Sequence, residues 1–79
     1  MVYDLNATKK DAEKIRSDIM GEQDAIIQYQ AHIDESRNEE LKEVLTHIMN
    51  DEKEHTAELI NLLRKLDKVQ DEKFKKEGL

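Results

Sequence analysis

Glu52 and His55 stand three residues apart in the segment Asp51-Glu52-Lys53-Glu54-His55, and each occupies a place where a hydrophobic side chain is due. Counting in threes and fours from Leu41 gives Leu41, Leu45, Ile48, Glu52, His55, Leu59, Leu62, Leu66 and Val69. That is one apolar face of a helix, interrupted only by a carboxylate and an imidazole. A second stripe runs through Ala12, Ile15, Ile19, Glu22, Ile26, Tyr29 and Ile33, and its one charged member is again a glutamate. Charged groups turned into a core are costly unless something pairs with them. A metal ion would pair with all three. Carboxylate oxygens with one imidazole suit iron, with manganese as the alternative, whereas structural zinc more often takes cysteine or further histidines. The competing reading is a buried polar network that sets helix register.

These residues can meet only if two helices hold them. Thr8 with Asp11 reads as a capping box, with Asn6 as the rival N-cap, and starts a helix over about 8–35. Asp34 to Asn38 breaks the phase of the stripe, and Ser36 or Asn38 caps a second helix over about 39–69. A connection this short folds the two helices into an antiparallel hairpin. If the chain reverses at Arg37, Glu22 and Glu52 each lie 15 residues from the turn, level with one another and roughly 22 Å up their helices. His55 lies one turn beyond Glu52 on the same face. Gly21 falls inside the first helix at a cost of about 1 kcal/mol relative to alanine. It could be a tolerated defect or a place where a neighbour approaches closely. Residues 70–79 are polar except for Phe74 and Leu79, and form a tail that frays, continues as helix to Gly78, or docks.

Composition agrees with an all-α chain. Charged residues make up 41%, proline and cysteine are absent, and aromatics are 4%. The absence of cysteine excludes disulfides, thiolate sites and iron–sulfur clusters. A net charge of −6 disfavours nucleic acid and attracts cations. No apolar run is long enough to span a membrane, and Met1-Val2-Tyr3-Asp4 lacks the marks of a signal peptide, so the expected location is the cytoplasm. A hairpin of 79 residues forms one domain at most, and it needs self-association or a metal to bury its stripes. Di-iron carboxylate bundles take one Glu from each of two helices and a Glu-x-x-His from each of two others. One copy of this chain supplies half of that set, so a homodimer would complete both the four-helix bundle and the site.

The segment Gly21 to Tyr29, followed by Asp51-Glu52-Lys53-Glu54-His55, resembles the half-ferritins of the rubrerythrin-related group, in particular the encapsulated ferritins carried as cargo in encapsulin nanocompartments. The resemblance covers roughly residues 12–66. It implies a ferroxidase in which Glu22, Glu52 and His55 ligate two irons per dimer, with Tyr29 close by. It also implies dimers that associate into rings, commonly decamers, and pass oxidised iron to a surrounding shell. Members of that family often flank the first metal glutamate with acids that form an iron uptake path. Here those positions are Gly21 and Asp24, which leaves one acid. Two other functions fit the same residues: a metal-free acidic oligomerisation or adaptor module, and a rubrerythrin-like peroxidase served by a separate electron donor. His47, Asp51 and Glu54 face away from the stripe and read as a solvated acidic face. His32 reads as a surface residue, and Met20 and Met49 as core or interface filler.

Overall fold

The computed structural model describes residues 8–79. Three helices follow in order: α1 (Lys9–Glu35), α2 (Glu39–Leu66) and α3 (Lys68–Lys76). The chain is all-helical, and α1 and α2 pack along their length as a two-helix hairpin. No helix is long and apolar enough to cross a membrane among the described residues.

The capping box at the start of α1 forms in full. The Thr8 hydroxyl accepts from the Asp11 backbone N–H at 3.2 Å, and the Asp11 carboxylate accepts from the Thr8 N–H at 3.1 Å. The rival cap, Asn6, and the rest of the lead-in lie outside the described residues. At the turn, Asn38 rather than Ser36 caps α2, its side-chain oxygen accepting from the Leu41 N–H at 3.0 Å. Ser36 closes α1 instead. Its N–H donates to the His32 and Ile33 carbonyls, and its hydroxyl accepts from the Asn38 N–H. Two oppositely directed caps thus reverse the chain without glycine or proline.

Every residue of the expected α1 stripe is buried or half-buried. On α2 the packed line is rotated from the expected one. It runs through Leu45, Met49, Glu52, Thr56, Leu59, Leu63 and Leu66, while Leu41, His55, Leu62 and Val69 stay exposed. The apolar arc of α2 is wider than one partner helix can cover, so α1 takes one edge of it. Among the described residues, the buried hydrophobic core consists of Ala12, Met49 and Leu63. Met49 is core, as filler should be, whereas Met20 is 67% exposed.

The second helix does not run to Val69. It stops at Leu66, and Asp67 takes an extended conformation that ends α2 and begins α3. The Asp67 N–H donates to the Leu63 carbonyl at 2.9 Å, and its Oδ1 accepts from the Gln70 N–H at 3.0 Å. Its other oxygen accepts from Arg16 of α1 at 2.7 Å. An aspartate able to cap the following turn and neutralised by an arginine 51 residues away outcompetes one more turn of helix.

Residues 70–79 are therefore mostly helix rather than a loose tail. Asp71 is fully buried, held by Arg64 at 2.6 Å and Lys75 at 3.1 Å. The Arg64 guanidinium also lies 5.0 Å from the Phe74 ring centroid and donates to the Leu79 carbonyl at 3.2 Å. Gly78, at φ +83°, ends α3 in a Schellman closure. The Leu79 N–H reaches the Phe74 carbonyl at 2.9 Å, and the Gly78 N–H reaches that of Lys75 at 3.0 Å.

Candidate metal centre

Glu22 comes from the middle of α1, and Glu52 and His55 from successive turns of α2. Equal distances from the turn bring the two glutamates to one level, and one ligand atom from each of the three residues falls within 4.8 Å of the others. His55 Nδ1 lies 3.6 Å from Glu22 Oε2 and 3.7 Å from Glu52 Oε2. Both carboxylates are largely covered, at 23% and 20% side-chain exposure, whereas the imidazole is 51% exposed. The cluster opens on its histidine side. It lies on the flank of the hairpin that α1 does not cover.

One interhelical hydrogen bond fixes the level. Gln23 Nε2 donates to the Thr56 hydroxyl at 2.9 Å, and that hydroxyl donates to the Glu52 carbonyl at 2.9 Å. The residue after the α1 glutamate is thus tied to the turn of α2 that carries the other two. Neither Gln23 nor Thr56 belongs to an apolar stripe. Only their mutual placement across the hairpin reveals the contact.

The donor set fits a divalent cation. Glu22 Oε2 is buried and accepts no hydrogen bond among the described residues. An unsatisfied buried acceptor costs about 1–3 kcal/mol, and more when it is charged. The distances from His55 are too long for hydrogen bonds, so the imidazole does not quench that charge by itself. Two hard oxygens and an imidazole nitrogen around a common point are what iron or manganese takes as ligands. A metal there would satisfy the orphaned oxygen.

Beside the cluster is a cavity of about 370 Å³ lined by Glu22, His55, Glu58, Leu59 and Leu62. Tyr29 is half-buried on the α1 stripe and does not line this cavity. Glu58 does, although it lies in neither stripe. Its offset of three from His55 is the one sequence signal that could have singled it out. Asp24 is exposed, and a Cβ added at Gly21 would meet nothing within 4 Å. Among the described residues, none makes the close approach that a missing side chain would permit. His47, Asp51 and Glu54 are all exposed, with His47 and Asp51 in an i, i+4 pair at 3.6 Å.

The EncFtn-like family model matches residues 1–77. The chain belongs to the EncFtn-like family. Two cargo proteins of Myxococcus xanthus are similar to it. The encapsulin nanocompartment cargo protein EncC is 46% identical over 59 residues, which is 75% of this chain and 45% of that protein. The cargo protein EncB is 35% identical over 66 residues, 84% of this chain and 42% of that protein. The chain spans less than half the length of either. No solved structure gives a significant match. An EncFtn-like hairpin with an inward carboxylate on one helix and a Glu-x-x-His pair on the other agrees with the resemblance read from Glu22, Tyr29, Glu52 and His55.

Proposed function

We propose that this chain is a half-ferritin ferroxidase, in which two copies pair across their open flanks and hold two irons between them. Glu22, Glu52 and His55 of each copy are the ligands, and ferrous iron is oxidised to ferric as each ion gives one electron to dioxygen. The observation that carries this reading is the convergence of the three donors within 4.8 Å, with Glu22 Oε2 buried and accepting no hydrogen bond among the described residues. Hard anionic oxygens favour the more highly charged ferric ion over the ferrous one. A second copy would bring the same three donors again and complete the carboxylate-rich set of a binuclear site. Leu41, Val44 and Leu62, exposed at 40%, 50% and 41%, supply apolar surface on α2 for that pairing. Leu59 and Leu62 would shield the centre from bulk water. Tyr29 is assigned a place near the ligands, two turns from Glu22 on the same stripe.

The names of the two relatives support a wider setting as cargo of an encapsulin shell. Storage of oxidised iron in such a compartment within the cytoplasm, with its toxicity contained, extends the proposal. Assembly of the dimers into a ring such as a decamer belongs to the same proposal. The test is anaerobic ferrous titration followed by oxygen, comparing the native protein with Glu22→Ala and His55→Ala. Both substitutions should slow oxidation by at least tenfold. Light scattering should show the native protein associating when iron is added and reverting with chelator. Iron oxidation at the native rate in both variants would overturn the assignment.

A further inference from the structure

The three ligand side chains do not face the cavity equally. Glu22 and His55 line it together with Glu58, Leu59 and Leu62, and Glu52 is not on its wall. A cation arriving through this cavity therefore meets Glu22 and His55 first. Glu58 is one turn beyond His55 on α2 and is exposed. Among the described residues it makes no hydrogen bond or ion pair, in contrast with Asp51, Asp67 and Asp71, which all have basic side chains beside them. Among the described residues, no lysine or arginine lines the cavity. The remaining wall is leucine, so the field of the carboxylates is focused along the opening.

We propose that Glu58 is the capture residue of this centre: in the unpaired chain, before a second copy covers this flank, it draws a divalent cation from solvent into the cavity and passes it to Glu22 and His55. The proposal rests on the reading of Glu22, Glu52 and His55 as a metal site, and extends it to how the metal arrives. The Glu22 oxygen at the inner end supplies a stronger destination than Glu58, because it is buried and accepts no hydrogen bond among the described residues. Transfer therefore runs inward. With a small side-chain-free residue at Gly21, the flank before Glu22 offers less negative charge, and Glu58 places a carboxylate on the opposite helix.

Anaerobic stopped-flow loading with cobalt(II), followed by its absorption, separates capture from coordination. Glutamine differs little from glutamate in helix propensity, so Glu58→Gln should retain the native circular dichroism. It should load cobalt about fivefold more slowly at low ionic strength, from the loss of one charge in the path of a divalent ion. The deficit should shrink toward zero in about 1 M salt, where screening acts within ~3 Å. The final cobalt content per chain should match the native value. Native loading rates in Glu58→Gln, with binding lost in Glu22→Ala, would overturn the capture role and leave the metal site standing. A reduced final content in Glu58→Gln would make Glu58 a ligand and also overturn it. Native cobalt binding in Glu22→Ala and His55→Ala would overturn the metal site itself, and the capture role with it.

Discussion

The middle of the hairpin and the corner where α2 meets α3 treat buried charge in opposite ways. At the corner every acid is matched. Asp71 has no exposure and is gripped by Arg64 and Lys75, and Asp67 is bonded to Arg16 and to the Gln70 N–H. In the middle, Glu22 Oε2 is buried without a hydrogen bond among the described residues, and its ion-pair partner there is an imidazole at 3.6 Å. Both regions bury carboxylates on facing or adjoining helices. The described residues satisfy the carboxylates of the corner and leave one in the middle without a hydrogen bond. Under the proposed function, stability and function fall to different stretches of the same two helices.

The contrast breaks first at Asp71. Replacing one member of a buried, hydrogen-bonded ion pair leaves the other uncompensated, at about 3–5 kcal/mol. Asp71→Ala should lower the unfolding free energy of the metal-free protein by that amount, read from urea titrations at fixed protein concentration, and hydrogen exchange should rise across α3. Glu22→Gln tests the opposite case. Removing an unpaired buried charge should leave the metal-free protein as stable as before, or more stable by roughly 1 kcal/mol. The same variant should forfeit the stabilisation that ferrous iron confers anaerobically, about 2.7 kcal/mol for metal at a hundred times its dissociation constant. If Asp71→Ala were harmless, or Glu22→Gln strongly destabilising without metal, the division of roles would be wrong.

A smaller effect sharpens the description of the corner. The Arg16 guanidinium hydrogen-bonded to Asp67, aided by the Gln70 N–H, holds the Asp67 carboxyl below its ordinary value of 3.8. A depressed folded value means that the group binds fewer protons folded than unfolded. Its contribution is therefore complete above that ordinary value, and is lost as pH falls through the lower folded one. Asn caps helices about as well as Asp, so Asp67→Asn isolates the charge. Native protein should exceed this variant by about 1 kcal/mol near neutral pH, the scale of a partly exposed pair. The gap should close in unfolding measurements taken progressively below pH 4. A gap independent of pH would show that Arg16 contributes by packing alone.

Sequence patterns made the centre more legible than the corner, for a physical reason. Glu22, Glu52 and His55 interrupt apolar stripes, and a polar residue at a core position is conspicuous by itself. The capping box of Thr8 and Asp11, the turn at Ser36–Asn38 and the level pairing of residues 22 and 52 all arise from local or mirror-symmetric geometry. Asp67 breaks no pattern, because Leu66 and Val69 keep the helical phase across it. Its decisive partner, Arg16, is distant in the chain and sits beside the α1 stripe. The rotation of the α2 contact face escaped for a related reason. Periodicity locates an apolar arc, but not which edge of it one partner helix will cover. Met49, Thr56 and Leu63 lie on one edge, and Leu41, His55 and Leu62 lie on the other. Glu58 belongs to no stripe, and only the shape of the cavity draws it into the site.

Gly21 offers the smallest and cleanest measure of how much the middle of the hairpin gives up for its site. Glycine within a helix costs about 0.5–1 kcal/mol relative to alanine, because more backbone freedom is lost on folding. A Cβ built at Gly21 meets no neighbouring atom of the described residues within 4 Å, so steric strain does not offset the gain within a single copy. Gly21→Ala should therefore raise the stability of the dissociated chain by about that amount. Its effect under conditions that drive association tests whether the proposed second copy packs here. If the gain persists when dimers form, the position is open and the glycine is a tolerated defect. If it vanishes or reverses as association is driven by concentration or by iron, the second copy packs its backbone against α1 immediately beside Glu22. The missing side chain would then belong to the construction of the shared site.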